Sequence, residues 1–201
     1  MVYNEKDLMR EQILDAASIV FGKYGYKKST MDDIGAAIKK GKTAVYYYFT
    51  SKEDIFRAVI EREAGMLGKS IISSTAQGEN AINKLTLYIK SRMQTLQNVS
   101  IFYDAMKNEL FDHLDFMNNV RKNYDQFEIS LVKDILIQGV KEGSFKVSHP
   151  EKTAELIVIM LKGLEIPIFL RADLSDIEER ISDIINLIVY GLVHSTKKTT
   201  S

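Results

Sequence analysis

Between Ser29 and Arg57 the chain gathers side chains suited to gripping a long polyanion. Lys39-Lys40-Gly41-Lys42-Thr43 forms a basic turn, and Tyr46-Tyr47-Tyr48-Phe49 follows within one short helix. Ammonium groups and phenolic hydroxyls together suit phosphate and sugar oxygens, and they carry no catalytic power by themselves. From Lys23 to Lys52 there are seven lysines against Asp32 and Asp33, a net of +5; the other 171 residues sum to −5, so the whole chain is neutral. A basic patch on a mildly acidic body fits selective nucleic-acid binding without general stickiness.

Other chemistry is thin. His113, His149 and His194 lie on three separate segments, none with a partner at metal or triad spacing, and each reads as a surface or capping residue. The paired acids Asp32-Asp33 and Glu178-Glu179 are adjacent, so they do not converge on a helix face. Zero cysteines removes thiolate nucleophiles, disulfides and cysteine metal sites. No catalytic residue, metal site or cofactor is expected.

The elements that would present the lysines and tyrosines can be read from their start signals. Thr30 precedes Asp33 by three residues, and Ser51 precedes Asp54 by three. Both pairs have capping-box spacing, in which a hydroxyl and an acid satisfy the first turn's orphan N–H groups. Two short helices joined by the basic turn, then a third opening at Lys52, match the helix-turn-helix plan for the major groove. Met9, Ile13, Ala16, Ala17, Val20, Phe21 and Tyr24 mark one buried stripe on a preceding helix, which Gly25 ends. Met31, Ile34, Ile38, Val45 and Phe49 are expected to complete that small core, leaving at least two of the three tyrosines exposed.

The segment resembles the DNA-binding domain of the TetR (tetracycline-repressor-like) family of transcriptional regulators. The resemblance rests on Thr30, Ile34-Gly35, Val45-Tyr46-Tyr47-Tyr48-Phe49 and Ser51-Lys52-Glu53-Asp54-Ile55-Phe56. It covers the first quarter to third of the chain. It implies an all-α fold: a three-helix DNA-binding domain over 1–50, a linking helix over about 51–72, and a ligand-binding and dimerisation domain over 51–201. It places Lys42, Thr43 and Ala44 at base edges: lysine toward guanine, threonine toward base or phosphate, the alanine methyl toward thymine. Tyr46, Tyr47 and Tyr48 fall at positions that touch phosphate or sugar, Lys52 at a phosphate-binding lysine, and Thr30 at a residue that caps and contacts phosphate. Lys39 stands where the family usually has glycine, so either this lysine is strained in a left-handed turn or the turn takes another geometry.

Beyond Ile72 the patterns are helical only, after a loop expected at Ser73-Ser74-Thr75-Ala76-Gln77-Gly78. A helix capped at Ser100, one over 115–142 ended by Gly143, one opening at His149-Pro150 and kinked or shortened at Pro167, and one capped by Ser175 and Glu178 are expected. Arg57, Glu61, Arg62 and Glu63 on the linking helix are expected to face water. Ile177, Ile181, Ile184, Ile185, Ile188, Val189 and Leu192 make the last helix too apolar for one buried face. With the resemblance, that implies a homodimer through about 150–194; the plainer reading is a helix central to its own domain. Met93, Phe102, Met106, Phe116, Phe127 and Met160 are core by spacing, yet such residues also suit a pliable pocket for a largely apolar effector.

With 45% hydrophobic and 27% charged residues the chain has the composition of a globular protein with ample core. The charged start MVYNEKDLMREQ has no signal-peptide apolar region, and the run Ile184–Val193, broken by Asn186, is shorter than the ~20 residues of a membrane span. The expectation is a cytoplasmic homodimeric repressor that binds a palindromic DNA operator and is released by a small molecule. Its rival is a helical ligand- or protein-binding module that has lost DNA binding.

Overall fold

The computed structural model describes residues 5–96, 115–171 and 177–192. Every regular element there is an α-helix: α1 Glu5–Tyr24, α2 Met31–Ala37, α3 Lys42–Tyr46, α4 Lys52–Thr75, α5 Ala81–Leu96, α6 Asp115–Lys141, α7 Pro150–Arg171 and α8 Ile177–Leu192. They fall into two compact units. One holds α1 to α3 with α4 up to Met66 and α6 up to Val120; the other holds α4 from Leu67, α5, the rest of α6, α7 and α8.

In the first unit Ile13, Leu14, Ala17 and Phe21 of α1, Ile34 of α2, Val45 and Phe49 around α3, and Ile55, Phe56 and Val59 of α4 are buried. Each fully buried aliphatic side chain of this size stabilises by about 1.5–3 kcal/mol. Tyr24, expected in this stripe, is exposed instead. Gly25 at φ +76° reverses the chain immediately after it, and Tyr26 takes the inward place. The Tyr26 ring lies 4.5 Å from Phe56 and 5.8 Å from Phe21, and Phe21 meets Phe56 edge-on at 5.4 Å.

Arg62 and Glu63 do not face water as expected. Arg62 reaches across to α1, donating to Asp15 at 2.8 Å, Glu11 at 3.2 Å and the Ser18 hydroxyl at 3.2 Å. Glu63 is buried. Period alone put both on the solvent side of α4, but a long guanidinium can snorkel along a neighbouring helix and claim its acids.

The second unit packs α5 against α8 and α8 against α7. Leu85, Ile89 and Met93, Val132 and Leu136, Ile157 and Leu161, and Ile181, Ile188 and Val189 form its core. Through this apolar interior runs a buried ion pair: Arg92 donates to Glu128 at 2.5 and 3.3 Å, and the Tyr88 hydroxyl donates to the same carboxylate at 3.0 Å. Burial, then the Glu128 charge, pushes the Tyr88 hydroxyl well above its ordinary range. α4 continues helical through Ser73-Ser74-Thr75, so the expected loop begins only at Ala76. Asn80 and Glu142 then cap α5, accepting from the Asn83 and Ala81 amides at 2.9 and 3.0 Å.

Gly143 at φ +72° ends α6 as expected. α7 opens at Pro150 and runs past Pro167 to Arg171 rather than stopping there. The caps at Ser100 and Ser175, and the residues Phe102, Met106, His113 and His194, lie outside the described residues. Among the described residues no helix is long and apolar enough to cross a membrane.

Candidate nucleic-acid interface

Thr30 sits in extended backbone at the N-cap of α2. Its hydroxyl accepts from the Asp33 amide at 3.1 Å, while the Asp33 carboxylate accepts from the Thr30 amide at 2.9 Å, so the capping box closes. The second expected box is half formed. Ser51 Oγ accepts from the Asp54 amide at 3.0 Å, but the Asp54 carboxylate is engaged by the Thr50 hydroxyl. That hydrogen bond is the main reason the Asp54 carboxyl lies below its ordinary range.

The turn between α2 and α3 resolves the question posed by Lys39. It adopts φ +56°, so the left-handed geometry is kept and a lysine bears it. The Lys40 amide then bonds back to Gly35 at 2.9 Å. A Cβ on Gly35 would lie 2.9 Å from the Lys40 carbonyl oxygen and 3.1 Å from the Lys42 nitrogen. Glycine at 35 is therefore what lets the turn close over α2. Gly41, at φ −74° and ψ 160°, is the N-cap of α3 without a side-chain hydrogen bond.

On this scaffold α3 buries Val45 and shows its other face to solvent. Tyr46 and Tyr47 are 51% and 71% exposed, which meets the expectation for at least two of the three tyrosines. Tyr48 is half-buried, edge-on to Tyr47 at 5.0 Å. Lys42 and Thr43 are exposed and Ala44 half-buried. Lys42 makes a 3.6 Å ion pair with Asp32, an exposed contact that DNA can displace at little cost. Lys6 of α1 stands 5.6 Å from the Tyr47 ring centre and Arg10 5.0 Å from that of Phe49, so α1 adds cations beside the tyrosines. These two escaped the motif-based reading because they lie over thirty residues upstream of the rings they cover.

Lys52 differs from the others. Its ammonium donates to the carbonyls of Tyr26 at 2.7 Å and Ser29 at 2.9 Å and lies 4.4 Å from the Tyr26 ring centre. Desolvation there lowers its pKa. Two of its three N–H donors are thus spent on the loop that leads into α2.

Of the residues expected to line a ligand pocket, Met93, Phe116, Phe127 and Met160 lie among the described residues. Phe116 lies in the first unit, 6.4 Å from Phe56 and under the Arg57 guanidinium. Met93 is fully buried in the second unit. Phe127, also there, lies over Gly68, where an added Cβ would stand 3.8 Å from the ring. Met160 is 45% exposed, beside Leu156 and Ile159 on α7.

A short helix with exposed lysine, threonine and tyrosines, fixed at an angle by a capped partner, defines a helix-turn-helix DNA-binding protein. Residues 13–59 match the family of bacterial regulatory proteins of the tetR type. The chain is 26% identical over 167 residues to the HTH-type transcriptional regulator YfiR of Bacillus subtilis, spanning 79% of each. Over 53 residues, 26% of this chain and 29% of the relative, it is 36% identical to IcaR of Staphylococcus epidermidis, a negative transcriptional regulator of the biofilm operon icaADBC. The fold is shared with FadR of Bacillus subtilis in complex with stearoyl-CoA, at TM-score 0.75 and 20% identity over 90% of this chain and 98% of that one. Residues 13–59 thus carry a DNA-binding segment of the tetR type, and the chain is similar over most of its length to a transcriptional regulator.

Proposed function

We propose that the protein is a repressor that binds a palindromic operator as a homodimer and is released by a small, largely apolar effector. The exposed face of α3 carries this reading. Lys42, Thr43 and Ala44 read base edges, Tyr46 and Tyr47 contact phosphate or sugar, and Tyr48 supports Tyr47. Thr30 caps α2, and Lys52 braces the loop that leads into it through the Tyr26 and Ser29 carbonyls. Charge supports this, since the lysine-rich segment holds +5 in a neutral chain.

Leu156, Ile159 and Met160 on α7 and Leu187 and Tyr190 on α8 are all more than 40% exposed. Five large apolar side chains at helical spacing on two packed helices are costly to leave in water. They support a twofold interface through about 150–194. The effector would act by preferring one arrangement of α4 over another, because equal affinity for both shifts nothing. That a FadR structure carries stearoyl-CoA favours an effector with an apolar portion.

The test is selection of duplexes bound from a random DNA pool. Enrichment of an inverted repeat, with affinity falling steeply as salt rises, is the expected result. A single unrepeated site would refute the dimeric mode, and no enrichment at low salt would refute DNA reading.

A further inference from the structure

The lysine-rich segment from 23 to 52 contains two acids, Asp32 and Asp33, side by side in the first turn of α2. Their fates differ. The Asp33 carboxylate accepts from the Thr30 amide and hydroxyl and is taken up by the capping box. Asp32 instead meets the Lys42 ammonium at 3.6 Å, with both side chains more than half exposed. The contact joins the first turn of α2 to the first residue of α3. The turn at Gly35 holds those backbones close, since a Cβ there would stand 3.1 Å from the Lys42 nitrogen.

An acid beside a base-reading lysine opposes the approach of a polyanion. The exposed ion pair alone holds little, so DNA could draw Lys42 away. That would leave a carboxylate in the groove with its counter-charge gone and its water displaced. The major groove offers such a carboxylate two kinds of donor, the amino groups of cytosine N4 and adenine N6. In a G·C pair the cytosine N4 donor and the guanine O6 acceptor are hydrogen-bonded to each other, so they stand about 2.9 Å apart on the groove edge. A carboxylate and an ammonium 3.6 Å apart match that donor and acceptor, the carboxylate on N4 and the ammonium on O6 and N7. The match is directional, because reversing the base pair sets like groups together. An A·T pair has a similar adjacency at N6 and O4. Its thymine acceptor is single, however, and sits beside a methyl group that would face two charges.

We propose that Asp32 and Lys42 stay paired on DNA and together read one G·C base pair of the site, Asp32 accepting from cytosine and Lys42 donating to guanine. The assignment rests on α3 as the helix that reads bases. Asp32 then weakens binding to duplexes without that cytosine and spares those that have it, so it discriminates by repulsion.

Selection from a random duplex pool with the full-length wild type, then competition titration of the enriched duplex with each base pair at each selected position, tests it. Asp32→Ala should flatten a G·C preference at one position, cutting discrimination there by about 5–50-fold, while affinity for unrelated duplexes rises. Lys42→Met should flatten the same position. Asp32→Asn, which can bond bidentately to adenine N6 and N7, should move the preference there from cytosine toward adenine. The assignment alone falls if the wild type enriches a motif that Asp32→Ala leaves unchanged, or if Asp32→Asn keeps the cytosine preference intact. It falls equally if Asp32→Ala and Lys42→Met flatten different positions, or if Asp32→Ala weakens all duplexes alike. A wild type that enriches nothing would instead refute base reading by α3, and this assignment with it.

Discussion

Lys52→Met separates two roles that one lysine could play in this DNA-binding unit. Methionine keeps the apolar stem's packing and deletes only the ammonium. The ammonium makes two charge-assisted hydrogen bonds, at 2.7 and 2.9 Å, and covers the Tyr26 ring at 4.4 Å. Bonds of that type contribute about 1.5–3 kcal/mol each when shielded, and partial exposure here reduces them to about 1 kcal/mol each. The ring contact adds about 0.5–1 kcal/mol. The substitution should therefore cost about 2–3 kcal/mol, which lowers the melting temperature by roughly 4–10 °C for a chain of this size. Amide exchange should accelerate first around Tyr26 to Thr30, because those are the carbonyls released. DNA affinity should fall because α2 is held less firmly, while the slope of log affinity against log salt changes little. A phosphate-binding lysine makes the opposite pattern: unchanged melting and exchange, with a slope reduced by about one contact. That result would refute the assignment of Lys52 as a strut.

Other substitutions test the turn and the second unit. Gly35→Ala should destabilise by about 1–3 kcal/mol in urea unfolding although alanine favours helices, because its Cβ meets backbone at 2.9–3.1 Å that cannot move independently. Lys39→Gly should stabilise by about 0.5–1 kcal/mol in the same assay, since glycine adopts φ +56° without strain but loses more freedom on folding. Arg92→Met should cost about 3–5 kcal/mol by leaving Glu128 buried without its counter-charge, and adding Glu128→Gln should restore part of that loss. Glu142 is held below its ordinary carboxyl range first by the Ala81 amide and then by Gln138. Its folded pKa is thus below its unfolded one, so its contribution is complete above about pH 4.5 and vanishes as pH falls through the folded value. The stability difference between wild type and Glu142→Gln should accordingly shrink from about pH 7 to about pH 3.

What the sequence alone determined about this protein was local. The Thr30–Asp33 cap, the glycine stops at 25 and 143, the burial of Val45 and Phe49 and the exposure of Tyr46 and Tyr47 all follow from signals within a few residues of one another. Short-range hydrogen bonds and helical period govern such features, and both are written in neighbouring letters. The tertiary structure decided whatever links residues far apart. Lys52 reaches Tyr26 and Ser29, Arg62 reaches Glu11 and Asp15, and Glu128 takes up Arg92 from another helix. No spacing rule marks these partners, because a long side chain chooses among the groups that packing brings near it. Methionine and phenylalanine at helical spacing likewise identify buried faces, but only the packing of helices determines which faces enclose a space.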